Sequence, residues 1–139
     1  MTAIFEKLQP PGWPRPRGYS NGYRIPAGLD LVLTAGMVGW DENEEIVPGG
    51  FVPQFEQALR NIVAVVHEAG GGPESIVRLT AYVADRDEYL SSLEGLGGAW
   101  QRVMGRNYPA MALIQVAGFV EDGAVLEIEV TAAVPPRGL

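Results

Sequence analysis

Apolar residues follow two rhythms along this chain. Between Pro53 and Ala69 they recur every three or four positions, at Phe55, Leu59, Ile62, Val63 and Val66, which is the stripe of a helix with one buried face. Pro53 suits a first-turn position, and "GGGP" at 70–73 stops the helix. A second helix is expected from about Asp87 to Met104, with Tyr89, Leu93, Leu96, Trp100 and Val103 as its stripe and an aspartate near its start to cap free amides. Gly95, Gly97 and Gly98 each weaken that helix by roughly 1 kcal/mol against alanine. Either a neighbouring element packs closely there, or something sits near that surface.

The second rhythm has period two. In "LDLVLTAGMVGW" Leu29, Leu31 and Leu33 alternate with Asp30, Val32 and Thr34, until Gly36 breaks the pattern and marks a bulge or a close backbone approach. "SIVRLTAYVAD" puts Val77, Leu79, Ala81 and Val83 on one face and Arg78, Thr80 and Tyr82 on the other. "NYPAMALIQVAG" separates Ala112, Ile114 and Val116 from Met111, Leu113 and Gln115. After a turn at "EDG" (121–123), the last strand turns Leu126, Ile128 and Val130 towards the helices and Val125, Glu127, Glu129 and Thr131 away. Near the start, "QPPGWPRPRG" (9–18) is too rich in proline for helix or interior strand and forms an extended arm. Tyr19 and Tyr23 are candidate strand residues around an Asn21-Gly22 turn signal.

This order predicts an α/β (α+β) two-layer sandwich, with a mixed six-stranded sheet and two helices on one of its faces. The other face is too apolar to meet water, and a two-helix domain has nothing left to cover it, so a subunit contact is expected there. Glutamates on such a face are costly unless paired or reached by water. Two readings of them stay open. Glu127 and Glu129 pair with Arg78 or with another subunit, or Glu127 stands at the edge of an apolar cleft as a general acid or base.

Composition narrows the function classes. The 139 residues fit one domain, 1–139, with residues 1–18 as its proline-rich N-terminal arm; 47% are apolar and 19% charged. Net charge is −7 with Lys7 the only lysine, so the basic footprint of a nucleic-acid binder is missing. There is no cysteine, which removes disulfides, thiol nucleophiles and cysteine metal sites and fits a cytoplasmic protein. No signal peptide is recognisable, and no apolar run approaches the ~20 residues of a membrane span. The acidic stretch "DENEEIVPGG" reads as solvated surface because its carboxylates lack ordered ligand spacing. The single histidine, His67, makes a protein-only metal site improbable and reads as a surface residue on the helix dipole. Neither metal nor cofactor is expected.

Taken in order, "GYSNG", "LVLTAG", "QFEQALRNI", "AGGGPESIVRLTAYVAD" and "LEIEVTAAV" resemble the RidA (YjgF) superfamily over nearly the whole chain. The resemblance implies a chorismate-mutase-like fold and a homotrimer whose sheet faces line a central barrel, with ligand clefts between neighbours. In the well-studied branch, enamines and 2-imino acids are hydrolysed to 2-oxo acids and ammonia. There an arginine just after "PA" grips the substrate carboxylate, a glutamate in the last strand positions water, and a tyrosine near the N-terminus lines the cleft. By that correspondence Glu127 and Tyr19 are the catalytic candidates and Gly36 is the matching backbone glycine. Met111 stands at the arginine position, Leu93 where an asparagine is frequent, and Leu113 where a cysteine is frequent. Methionine cannot pair with a carboxylate, and losing such a clamp costs several kcal/mol of binding. The resemblance is therefore to an arginine-lacking subgroup. The expected function is hydrolysis of a small enamine, imine or related metabolite, with Met111 and Leu113 against an apolar part and Arg24 or Arg78 available to replace the lost charge. The alternative is a non-catalytic trimer that binds a small apolar ligand or a protein partner.

Overall fold

The computed structural model describes residues 5–137. Along the chain lie β1 (Glu6–Leu8), β2 (Gly22–Arg24), β3 (Asp30–Leu33), α1 (Phe51–Glu68), a 3-10 turn (Pro73–Ser75), β4 (Ile76–Val83), α2 (Arg86–Ser91), α3 (Leu93–Met104), β5 (Ala110–Gln115) and β6 (Leu126–Val134). The main sheet has the order β3-β6-β4-β5, with β6 antiparallel to both its neighbours and β5 parallel to β4. A parallel pair needs a long crossover, and α2 with α3 supply it.

The expected single six-stranded sheet is not what forms. β1 and β2 make a two-stranded ribbon of their own, and β1 falls inside the stretch expected to be an arm. The prolines between them leave only one bridge to the main sheet, from Ser20 to Ala110 at the start of edge strand β5. Asn21-Gly22 makes no hairpin turn either: Gly22 opens β2, and Asn21 donates from Nδ2 to Gln9 Oε1 at 2.7 Å.

Period-two alternation holds through the two central strands. Leu79, Ala81, Val83, Leu126 and Ile128 are buried under the helices, while Arg78, Thr80, Tyr82, Glu127 and Glu129 face away. α1 contributes Leu59, Ile62 and Val66 to this core and α3 contributes Met104. The helix start lies two residues before Pro53, which sits in the first turn as expected. At the other end Gly70 takes a left-handed conformation, and the bonds Gly71 N–H to Val66 O and Gly70 N–H to His67 O close the helix.

The second helix is two helices. The capping aspartate is Asp85, accepting from the amides of Asp87 and Glu88 at 2.9 and 3.3 Å. It then breaks at Ser92, because the hydroxyls of Ser91 and Ser92 both donate to the Glu88 carbonyl and compete with the helical ladder. The break frees α3 to pack on α1 at its own angle. Gly95 serves that contact, since a Cβ there would lie 3.1 Å from Val52. No helix among the described residues is long and apolar enough to cross a membrane.

Two polar ties fix α1 to the rest. Gln54 is buried and spans to the start of β6, donating to Gly123 O at 3.1 Å and accepting from Val125 N–H at 3.0 Å. Removing that amide strands two backbone groups, so Gln54→Ala is expected to lower unfolding free energy by about 2–3 kcal/mol, read by urea titration. Glu56 joins α1 to α3, accepting from Arg102 Nη2 at 2.6 Å and from Arg60 Nη2 at 2.7 Å. These guanidinium bonds, Arg102 first, hold its carboxyl below the usual value. A depressed carboxyl stabilises the fold above the unfolded pKa of about 4.3 and loses that contribution as pH falls through the folded value. Glu56→Gln is expected to lose about 0.5–1 kcal/mol at neutral pH. The two proteins should converge in stability as pH falls below the folded value, and a difference unchanged by pH would remove the ion-pair account.

Candidate functional site

Register with β4 decides what β5 presents to each side. Met111 lies beside Leu79 and Leu113 beside Ala81. Leu79 and Ala81 belong to the core, so Met111 and Leu113 point to the helix side, half-buried at the core's edge. The helices do not cover this edge strand fully, and a cavity of about 390 Å³ remains there. Buried Phe55, Leu96 and Trp100 form its floor, while Tyr89 and Tyr108 extend its wall. The exposed side chains Tyr19, Leu93 and Arg17 stand at its opening. Trp100 and Tyr108 stack with ring planes 3° apart and centroids separated by 6.0 Å. The buried indole N–H of Trp100 finds no acceptor among the described residues.

A polar latch brings the N-terminal arm to this place. Ser20 is 2% exposed, and its Oγ donates to Tyr108 O at 2.5 Å while its own N–H donates to Pro109 O at 3.0 Å. Tyr23 adds a second hydroxyl bond to Tyr108 O at 2.8 Å. Gly18, at φ +79°, turns the chain just before the latch in a conformation that an L side chain resists. Arg17 and Tyr19 flank that turn and both line the cavity.

Glu127 lies elsewhere. It pairs in register with Tyr82 on the face away from the helices. A Cβ on Gly36 would come within 2.5 Å of Glu127 Oε2 and 2.6 Å of its Cδ, so any larger residue there would push the carboxylate out of its present position. Next to it, the Tyr82 hydroxyl donates to Glu129 Oε1 at 2.6 Å. That bond, then burial, then the charges of Glu129 and Glu127 push the phenol above its ordinary value. Arg78 is exposed on this same face, beside a shallow cavity of about 350 Å³ that Thr80, Glu129 and Thr131 also line. Among the described residues Arg78 forms no ion pair with either glutamate. Leu31 and Leu33 point the same way and are 64% and 72% exposed.

The candidate residues therefore fall into two groups. Tyr19, Leu93, Met111 and Leu113 line one cavity; Gly36, Glu127 and Arg78 belong to the opposite sheet face. One chain does not bring the two catalytic candidates, Glu127 and Tyr19, together, because the sheet lies between them. The arginines considered as a replacement charge, Arg24 and Arg78, do not line the cavity, whereas Arg17 does. Sequence reasoning passed over Arg17 because a proline-rich arm carries no periodicity to say where its side chains end. It treated the three glycines of α3 alike, yet Gly95 packs on Val52 while Gly97 lines the cavity with nothing within 4 Å of its absent Cβ. Among the described residues no group of three or more acidic or histidine side chains is placed to hold a metal ion.

The model of the Endoribonuclease L-PSP family matches residues 15–134. The RutC family protein UK114 of Drosophila melanogaster is 31% identical over 99 residues, covering 70% of this chain and 68% of the relative. The goat (Capra hircus) protein named 2-iminobutanoate/2-iminopropanoate deaminase is 30% identical over 106 residues, covering 76% and 74%. Among solved structures, a Rid-family protein of unknown function from Yersinia pestis superposes with a TM-score of 0.81 at 26% identity, covering 94% of this chain and 98% of that one. The mixed sheet, its helical layer and the ordered motifs agree with these matches: the chain belongs to the Endoribonuclease L-PSP family, within the RidA (YjgF) superfamily.

Proposed function

We propose that the chain acts as a homotrimer that hydrolyses a small enamine or imine in clefts between its subunits. The observation that carries this reading is the division of the site residues. The cavity holds the apolar lining and Tyr19, the opposite sheet face holds Glu127 beside Gly36, and neither half is a site alone. In a closed ring of copies the cavity of one chain meets the Glu127 face of the next. The uncovered leucines Leu31 and Leu33 support the same arrangement, since exposed apolar side chains on a sheet face call for a partner.

In that joint cleft Glu127 orients a water molecule and takes its proton as the oxygen bonds to the imine carbon. Glu127 passes that proton to the nitrogen to complete the carbinolamine, whose hydroxyl proton then follows to the nitrogen as the C–N bond breaks, giving a carbonyl compound and ammonia with Glu127 ionised again. An enamine first gains a proton at its β-carbon and gives one up from nitrogen, becoming the imine. Tyr19 lines the opening, and Met111 and Leu113 hold an apolar part of the substrate. The activity named for the goat relative, on 2-iminobutanoate and 2-iminopropanoate, is not what this cavity favours. At position 111 a thioether replaces any guanidinium that would receive a carboxylate. RNA is disfavoured as a substrate by the net charge of −7, which repels a phosphate backbone. A second reading, ligand binding without turnover, is favoured by the apolar side chains at 93, 111 and 113 alone.

Glu127→Gln decides between them: turnover of the true substrate collapses under the first reading, whereas under the second ligand affinity is the only activity and stays nearly unchanged. Sedimentation should give a mass three times the chain's 14.9 kDa. A stable monomer at micromolar concentration would overturn the shared cleft. Hydrolysis of 2-iminobutanoate generated in place should be weak, and Met111→Arg should raise its kcat/KM by about tenfold or more by restoring a carboxylate partner. Wild-type rates matching those of an arginine-bearing relative would refute the argument from Met111.

A further inference from the structure

The lining of the cavity contains an exposed glycine that the fold does not ask for. Gly97 lies inside α3, where glycine weakens a helix relative to alanine. Its neighbour Gly95 has a steric reason, the close approach of Val52, and a Cβ on Gly98 would press on Arg102 at 3.3 Å. Gly97 has none: a Cβ there meets nothing within 4 Å, and the residue lines the cavity. Trp100, Leu93 and Met111 line the same cavity, which suits a flat or branched apolar group. Among the described residues the only cation lining the same cavity is Arg17. Arg60 and Arg102 are committed to Glu56, and Arg137 donates to the Glu68 carbonyl. Arg17 has no carboxylate partner among the described residues. It is held at the opening by the turn at Gly18 and the Ser20 latch.

We propose that this cavity takes a small monocarboxylic acid with an aromatic or branched apolar body, the body lying over Gly97 and the carboxylate paired with Arg17. The inference rests on the cleft reading above and names its substrate class. The anionic anchor has moved from the strand to the arm, and the room vacated on β5 and α3 is given to a larger apolar body. Arg17 and Gly97 are then residues that set specificity, not catalytic residues: one selects the charge, the other the size.

Stable 2-oxo acids, the products such a hydrolysis would release, serve as probes. Phenylpyruvate, pyruvate and the uncharged ketone phenylacetone are titrated calorimetrically into the full-length protein and its Arg17→Gln, Gly97→Ala and Gly97→Val variants. The wild-type protein should bind phenylpyruvate at least tenfold more tightly than pyruvate. Arg17→Gln should weaken phenylpyruvate about tenfold and leave phenylacetone unchanged. Gly97→Val should weaken both aromatic probes, and Gly97→Ala should do so in part while raising the melting temperature, which shows that the loss is not unfolding. No discrimination against pyruvate, an equal effect of Arg17→Gln on acid and ketone, or full affinity in Gly97→Val would each overturn the proposal. If the affinities follow this pattern and no imine or enamine is turned over, the substrate class stands and only the hydrolytic reading fails.

Discussion

A four-stranded sheet has two faces, and the helices of this chain cover one of them. Everything about the site follows from that shortage of cover. Because successive side chains on a strand point to opposite faces, the register of β5 on β4 sends Met111 and Leu113 to the helix side, and that of β6 sends Glu127 to the other. A slip of one residue in either pairing would exchange core for surface along the strand, so the burial of Leu79, Ala81, Ile128 and Val130 also fixes the functional side chains. Packing and site are one constraint. It leaves a carboxylate and an apolar cavity on opposite sides of one sheet, an arrangement that becomes useful when a second copy supplies the missing half.

The edge strand needs a further support, and the N-terminal arm supplies it. Tyr108 accepts two hydroxyl hydrogen bonds at its carbonyl, from Ser20 and Tyr23, while its ring stacks on Trp100. One residue thus ties the arm, the start of β5 and the cavity floor together. The hydroxyl of buried Ser20 is satisfied, and an unsatisfied one there would cost about 1–3 kcal/mol. The buried Trp100 N–H lacks that compensation among the described residues, a cost the fold carries at the cavity wall.

Most of the layer architecture was legible in the sequence because periodicity is a direct record of burial. The stripes of α1 and α3 and the alternation of β4 and β6 appear where the rhythms put them. What the rhythm could not show were features set by single hydrogen bonds. Ser91 and Ser92 divide the second helix through the Glu88 carbonyl, and proline spacing confines β1 and β2 to a separate ribbon. In the site, Tyr19, Leu93, Met111 and Leu113 line one cavity, and the backbone at Gly36 passes close to the Glu127 carboxylate. Alternation separated Met111 from Glu127 only once the register was known. Arg17 was illegible because its position depends on a turn at Gly18 and a latch 88 residues away in sequence.

The chemistry of the lining determines how selective such a site can be. A cavity of methionine, leucine and aromatic side chains discriminates weakly between apolar bodies, by roughly 1–3 kcal/mol per methylene added or removed. Strong rejection comes instead from buried polar groups that a wrong ligand leaves unpaired. At positions 93, 111 and 113 this chain carries no such groups. Under the proposed reading its selectivity is set by shape over Gly97 and by one exposed cation, whose pairing is weakened by water and salt. A site of this kind tolerates a range of related apolar metabolites and gives up tight recognition of any one of them. That suits removal of a class of reactive compounds better than the processing of a single substrate.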